Sequence, residues 1–301
     1  MGELPLLKRI RTDFEDEGLV LVNVSVDRNC DRTRKMIADR SLDWPQVCDG
    51  GGFEGELARA FSVDGTPTQY VLNREGRIVS KVTARLLRTA VATALAGASG
   101  SRVPSDVLRE ESRRDRWQRP DDVLTALGAK EGAAIADIGA GRGYFTARIA
   151  DAVGSAGRVY AVEIDPREIE RLTARATAER RPNVSVIAGK PDDPRLPEGA
   201  LDAVLIVNAY HEIEHYTAML EHLHRSLKPG GRLVIEEHVA DSRRAAAREE
   251  QVRSHEIAPA LVERELRAAG FDQIERREPF TRNEEGDARW LIVARRPAEA
   301  K

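Results

Sequence analysis

The stretch AAIADIGAGRGYFTARIA, residues 133–150, constrains this chain most. An apolar run with strand character ends at Asp137, then Gly139, Gly141 and Gly143 follow, and a helical pattern starts at once. A strand–turn–helix connection of this kind needs residues that turn tightly and let the backbone approach a ligand, and glycine supplies both. In open α/β sheets ligands sit outside the carboxyl ends of the strands, so a nucleotide is the natural ligand here. The dinucleotide fingerprint G-x-G-x-x-G is not met: with Gly139 and Gly141 aligned, Tyr144 stands where the third glycine belongs. The next strand, VYAVEID, ends on Glu163, 20 residues beyond Gly143. A carboxylate there accepts hydrogen bonds from the ribose hydroxyls.

From Pro120 onward, apolar runs alternate with helical patterns: IADIG, VYAVEID, VSVIAG, AVLIVN and RLVIEEH, with a tight turn at Pro229-Gly230-Gly231 before the last. Strands alternating with helices predict a mostly parallel sheet covered on both faces. An antiparallel pair around FDQIERRE and RWLIVARR closes the chain. Upstream lies a second α/β region. LPLLKRIRTDF has helical spacing, and LVLVNVSV (Leu19 to Val26) is the continuous apolar run of a buried strand. Asp31 to Ser41 reads as helix, TQYVLN and GRIVSKV flank Arg74-Glu75-Gly76 as a hairpin, and LLRTAVATALA closes the region. The expected organisation is a domain over 1–98, a linker over 99–113 that starts in AGASGSRVPSD, and a domain over 114–301. The charged run REESRRDRWQR reads as a solvated helix face.

The net charge of −3 gives no support to nucleic-acid binding. No stretch reaches the roughly 18 apolar residues of a membrane span, and the first residues turn charged before a secretory core develops. A cytoplasmic protein under reducing conditions is therefore expected. Cys30 and Cys48 are too few for a disulfide scaffold and too far apart for C-x-x-C, which leaves a single disulfide between them open.

Residues from about 114 to 298 resemble the class I S-adenosylmethionine-dependent methyltransferases. ADIGAGRGYF, VYAVEIDP, DDPRLPEGALDAVLIVN and LKPGGRLVIEE carry the resemblance, in family order and spacing. It implies a Rossmann-like seven-stranded domain with S-adenosyl-L-methionine as cofactor. Asp137, Gly139, Gly141 and Gly143 would line its methionine end, and Glu163 would hold the ribose. Asp192, with Asp193, would face the adenine, and Asn208 would lie near the sulfonium. The upstream WQRPDDVLTALG resembles a subgroup in which that helix closes over the cofactor. Tyr210 and His211, just past the fourth strand, fall where this fold places its reactive centre. His211 is the expected base or acceptor-orienting residue, and His238 a weaker candidate. A small-molecule acceptor is favoured by default, with no nucleic acid and no membrane among the partners.

HEIEH, residues 211–215, also reads as H-E-x-x-H, a zinc-protease string. The longer form of that motif would put Gly at 218 and His at 221, where this chain has Ala218 and Glu221. Its place just after a buried strand also speaks against zinc, so no metal is expected.

The segment from Glu3 to about Ala96 resembles the thioredoxin-like family, on ELPLLKRI, LVNVSVD, DWPQVCDG and VDGTPTQYVLNREGRIV. The resemblance implies a cis peptide before Pro67. It also exposes a departure: the family's strand and W-C-x-x-C turn, which precede the helix matched by ELPLLKRI, have no counterpart. The domain is thus an incomplete thioredoxin-like α/β unit: cut short by a downstream start, a degenerate interaction module, or a unit whose two strands rearrange to close the gap. The competing view of the whole chain is a thioredoxin-like redox or binding module joined to an inactive nucleotide-fold domain.

Overall fold

The computed structural model describes residues 3–96 and 105–298. The chain divides into two compact units, Met1–Gly100 and Ser101–Lys301.

In the N-terminal unit, helices α1 (Leu4–Phe14), α2 (Cys30–Asp39), α3 (Glu56–Ala60) and α4 (Ala84–Leu95) accompany two separate two-stranded sheets. Strand β1 (Asn23–Ser25) runs parallel to β2 (Gln46–Cys48), and β3 (Gln69–Leu72) forms a hairpin with β4 (Ile78–Val82). Helix α2 starts where the Asn29 side chain accepts hydrogen bonds from the backbone N–H of Asp31 and Arg32, which satisfies two donors that a helix start leaves open. The small core joins Ile10 and Phe14 of α1 to Val71 of β3 and Leu87 and Val91 of α4.

Two expectations change here. LVLVNVSV is not a buried strand: only Asn23–Ser25 is extended in a ladder, and Val20 is 71% exposed, Val22 50% and Val24 47%. The cause is the sheet, which gives β1 one neighbour and leaves none of its three residues buried. Cys30 and Cys48 are bonded, joining the first residue of α2 to the last of β2. Disulfides belong to oxidising compartments, so this pair lends no support to a reducing cytoplasm. The Thr66–Pro67 peptide is cis, as expected.

In the C-terminal unit, helices α5 (Ser105–Gln118) and α6 (Pro120–Leu127) lead into strand β5 (Ala134–Ile138). Then follow α7 (Tyr144–Val153), β6 (Arg158–Glu163), α8 (Pro166–Ala178), β7 (Val184–Ala188), β8 (Leu201–Val207), α9 (Tyr216–Ser226) and β9 (Leu227–His238). Helices α10 (Arg248–Arg253) and α11 (Pro259–Ala268) precede β10 (Asp272–Arg282) and β11 (Ala288–Arg295). The seven strands lie in the order β10-β11-β9-β8-β5-β6-β7. The ladders from β9 to β7 are parallel, and β11 is antiparallel to both β9 and β10. Strand β5 has neighbours on both edges and helices over both faces, so Ile135 and Ala136 are fully buried. Two apolar clusters, one per face of the sheet, form the core. Pro229–Gly231, expected as a tight turn before the fifth strand, has Gly230 at φ +77° and interrupts the pairing within β9: between Leu201 and Ala203 of β8 the register on β9 advances from Leu227 to Arg232.

The expected linker is mostly helix. Residues 99–104 lie outside the described residues, and 105–113 belong to α5. The charged run is not a uniformly solvated face either. Glu111 is buried and accepts hydrogen bonds from Arg148 (3.2 Å) and Arg175 (2.6 Å). Asp115 accepts from Arg148 (2.6 Å) and from the Tyr144 hydroxyl (2.7 Å). One side of α5 is thereby bolted to α7 and α8, while Glu110, Arg113 and Arg116 stay exposed. Among the described residues no helix is long and apolar enough to cross a membrane.

Candidate functional site

The glycine turn after β5 opens a cavity of about 470 Å³ at the carboxyl ends of β5 and β8, roofed by α5. Asp137, Gly139 and Gly141 line it, as does Asn208, which directly follows β8. Strand order reverses between β5 and β8, the crevice where open α/β sheets bind ligands. Gly139 and Gly141 both have positive φ, +67° and +51°. A Cβ on Gly139 would come within 2.6 Å of the Ala209 Cβ, whereas one on Gly141 would meet nothing within 4 Å. The first glycine thus lets two chain segments touch, and the second leaves the loop open towards the cavity. Gly143 caps the start of α7 and is not among the lining residues.

Glu163 sits at the end of β6 and fixes the turn. One carboxylate oxygen accepts from the Gly141 backbone N–H (2.9 Å), and the other from the N–H of Ile164 (2.7 Å). Neither Glu163 nor the Asp192–Asp193 pair lines the cavity. The loop carrying that pair is tied to the end of β6, because Gly189 N–H donates to the Glu163 carbonyl (2.9 Å). Asp193 accepts from the Arg195 N–H (2.8 Å) within its own turn, while Asp192 is exposed.

Asp137 is 4% exposed and accepts from the Thr146 hydroxyl (2.6 Å). Burial pushes its carboxyl up to about 6, against the lowering pull of Thr146 and Arg114. The cavity therefore presents a carboxylate poised to gain from a cationic ligand.

Several lining residues escaped the sequence reading. Arg114 of α5 reaches the cavity, stacks on the Tyr144 ring at 4.0 Å and donates to Gln118 (3.0 Å); burial lowers its guanidinium below the ordinary value. Arg289 of β11 donates to Glu236 (2.6 Å) and to Asn208 (3.1 Å). Gln118 donates to the other Glu236 oxygen. Glu236 is fully buried, and burial raises its carboxyl despite the Arg289 beside it. Its neighbour Glu237 is also fully buried and faces His211 instead. Adjacent strand residues point to opposite faces. The signal was in the sequence: RLVIEEH ends an apolar strand in two acids, and acids are almost never buried without partners.

Past β8 the expected residues part company. Tyr210, expected beside the reacting centre, is a core residue: it is fully buried in the apolar cluster and its hydroxyl donates to Glu265 (2.7 Å). His211 is 2% exposed. Its backbone N–H donates to Glu237 (3.2 Å), and its ring Nδ1 lies 3.0 and 3.1 Å from the two Glu237 oxygens. Glu237 holds the imidazole above its usual range even though burial acts the other way. His211 is not among the cavity-lining residues, although Asn208, three positions earlier, is. His238 contacts Arg289 (3.4 Å), and burial lowers its imidazole. HEIEH does not form one helix: Tyr210–Glu212 is a short 3-10 turn, and His215 precedes α9 as an exposed residue. His211 and His215 therefore lack the shared helical face that the zinc-protease pairing requires.

A sheet of this order, with a ligand crevice at its switch point, defines a Rossmann-like nucleotide-fold domain. Residues 135–231 match the family model for a methyltransferase domain. The Geobacillus stearothermophilus demethylmenaquinone methyltransferase is 27% identical over 119 residues, which is 40% of this chain and 50% of that protein. A protein-L-isoaspartate O-methyltransferase from Methanothrix thermoacetophila is 32% identical over 109 residues, 36% of this chain and 49% of that one. The chain spans about half the length of these curated relatives. In structure it is similar to a SAM-dependent methyltransferase from Aquifex aeolicus, with a TM-score of 0.52 and 24% identity, covering 64% of this chain and 97% of that one. A Haloferax volcanii complex of a methyltransferase activator and its methyltransferase gives a TM-score of 0.53 at 18% identity, covering 65% and 96%. Residues 135–231 thus match a methyltransferase-domain model, and the chain shares the fold of solved methyltransferase structures.

Proposed function

We propose that the chain transfers a methyl group from S-adenosylmethionine to a small-molecule acceptor. The observation that carries this reading is the cavity at the β5–β8 switch point, with a buried carboxylate, an open glycine backbone and a cation around one volume. The cofactor supplies a methyl carbon activated by a sulfonium. Asp137 faces its ammonium group, and Arg114, with its planar guanidinium, suits its carboxylate. Glu163 holds the glycine loop and takes the ribose, and Asp192 with Asp193 takes the adenine. Asn208, held by Arg289, borders the reacting end. In-line displacement draws much of its rate from positioning the nucleophile. His211, oriented by Glu237, is the acceptor-orienting residue.

The names of the relatives point to unlike acceptors, demethylmenaquinone in one case and a protein isoaspartate in another. A small molecule is the acceptor favoured here, since the net charge of −3 gives no support to nucleic acid. The N-terminal unit is proposed as a thioredoxin-like interaction module. Its order of helix, strand, helix, parallel strand and closing hairpin with helix supports this, and its bonded cysteines are not a C-x-x-C pair. Titration calorimetry with S-adenosylhomocysteine tests the enzymatic reading: saturable one-to-one binding is expected, and a folded chain that releases no heat would favour the inactive-domain alternative. His211→Ala should lower turnover and leave that binding intact.

A further inference from the structure

The fold brings a third residue to HEIEH that no spacing rule in the motif reaches. His255 follows α10, 44 positions beyond His211, and its ring stands edge-on to the His211 ring with centroids 5.7 Å apart. One donor atom from each of His211, Glu212 and His255 falls within 4.8 Å of the others. The His211 Nε2 and a Glu212 carboxylate oxygen are already 3.7 Å apart. Two donors on one tetrahedral zinc ion, each about 2.1 Å from it, stand roughly 3.4 Å apart. A small rotation of the exposed Glu212 and His255 side chains closes the set.

Two further features separate this cluster from a chance meeting of surface groups. Glu237 is fully buried and engages Nδ1 of His211, which fixes the tautomer and leaves the Nε2 lone pair for a ligand. A carboxylate behind a ligating histidine is the usual second partner of a metal site, and raises the basicity of the ligand. The segment carrying His255 is also held rigidly. Next to it, Glu256 is 6% exposed and accepts from Arg243 (2.6 and 2.8 Å) and from the Ala240 N–H (3.1 Å). Buried Gln251 accepts from the Ala258 N–H (2.6 Å) and donates to the Ala246 carbonyl (2.9 Å). His255 itself has φ +56°, a left-handed conformation that a non-glycine residue keeps only where its surroundings hold it. Buried polar groups on either side of this position hold it there.

We propose that His211, Glu212 and His255 form a binding site for one divalent transition-metal ion, with Glu237 as the positioning residue behind His211. Two imidazoles and one carboxylate suit zinc and its first-row neighbours better than magnesium or calcium. Three protein ligands leave a coordination position open. The two carboxylates, Glu212 and Glu237, balance the charge of a divalent ion. This site is not the H-E-x-x-H pairing, since His215 takes no part in it.

Zinc titration of the oxidised full-length chain against a chromophoric chelator tests the site, with the Cys30–Cys48 bond intact so that thiols do not compete. One zinc per chain is expected. His255→Gln, at an exposed position that leaves the core untouched, should weaken binding about a hundredfold, and Glu237→Gln should weaken it tenfold to a hundredfold. His215→Gln should bind as the wild type does. Cobalt substitution should give visible absorption bands that His255→Gln loses. Equal zinc affinity in the wild type and His255→Gln would overturn the proposal, and so would a wild-type chain that takes up no zinc. The readout needs neither cofactor nor acceptor, so it stands or falls apart from the methyl-transfer reading.

Discussion

LVLVNVSV in the N-terminal unit and AIADI in the C-terminal unit look alike as sequence, yet they end in opposite environments. Ile135 and Ala136 of β5 have strands on both edges and helices over both faces, and neither is exposed to solvent. Val20, Val22 and Val24, in or beside a three-residue strand with one neighbour, are between 47% and 71% exposed. An apolar run states a preference for burial. Only the number of partners that the rest of the chain supplies decides whether burial follows. The C-terminal unit gathers seven strands into one sheet and even tucks charged side chains inside it, whereas the described residues of the N-terminal unit divide four short strands between two ribbons.

The comparison breaks most visibly at α5. Glu111 is buried between Arg148 and Arg175, and its removal takes one carboxylate from each buried guanidinium, leaving Arg148 with Asp115 and Arg175 with Glu179. Glu111→Ala should cost about 3–5 kcal/mol in the unfolding transition of the C-terminal unit, measured by denaturant melts. A loss under about 1 kcal/mol would return 105–113 to the role of a tether and detach the cavity roof from the core. Next in size is Ile135→Ala, which removes a fully enclosed side chain and should cost about 2–5 kcal/mol.

Asp137 sharpens the contrast from the functional side, because its burial serves a ligand rather than the fold. Replacement by Asn should weaken S-adenosylmethionine binding roughly tenfold to a hundredfold, as expected for the loss of a charge-assisted contact. The pH dependence follows from its raised carboxyl. The ordinary value is 3.8 and the folded value about 6, so the free protein holds a neutral carboxylic acid below that pH and a carboxylate above it. A cationic ligand binds the ionised form. Affinity should be full above about pH 6 and fall by up to tenfold per pH unit below it. Calorimetry across pH 5–8 checks this, and Asp137→Asn should flatten the profile in the acid limb.

What was legible in the sequence was local. The apolar period, the glycines and the spacing from Gly143 to Glu163 mark out β5, the turn, α7 and β6, since each is fixed by neighbours in the chain. The residues that complete the site come from far away. Arg114 reaches the cavity from α5 inside a charged run that resembles any solvated helix. Arg289 joins Asn208 from the antiparallel strand β11, 81 positions on. His255 meets His211 only because α10 and its following turn fold back over the end of β9, where Ile257 N–H donates to the His238 carbonyl (3.0 Å). Tyr210 misled for the same reason. Its position past β8 suggested the reacting centre, but Glu265 on α11 offers its hydroxyl a partner on the core side of the sheet. Periodicity records which face a residue takes and carries no information about what waits on that face.

The smallest effect belongs to the N-terminal unit and is the most direct check of the opening comparison. Val24 stands at the centre of β1 and is 47% exposed, and its backbone pairing to Val47 is indifferent to the side chain. Threonine keeps the β-branch and the strand preference and adds a hydroxyl where water can solvate it. Val24→Thr should therefore shift the stability of the isolated chain by no more than about 0.5 kcal/mol. The same exchange at Val159, fully enclosed in β6, buries an unpartnered hydroxyl and should cost about 1–3 kcal/mol. If the two substitutions cost alike, the face of β1 is covered in solution, and the difference between the two apolar runs disappears. If Val24→Thr is neutral and Val159→Thr is not, equal hydrophobicity in sequence has been separated by a single variable, the number of strands and helices packed around it.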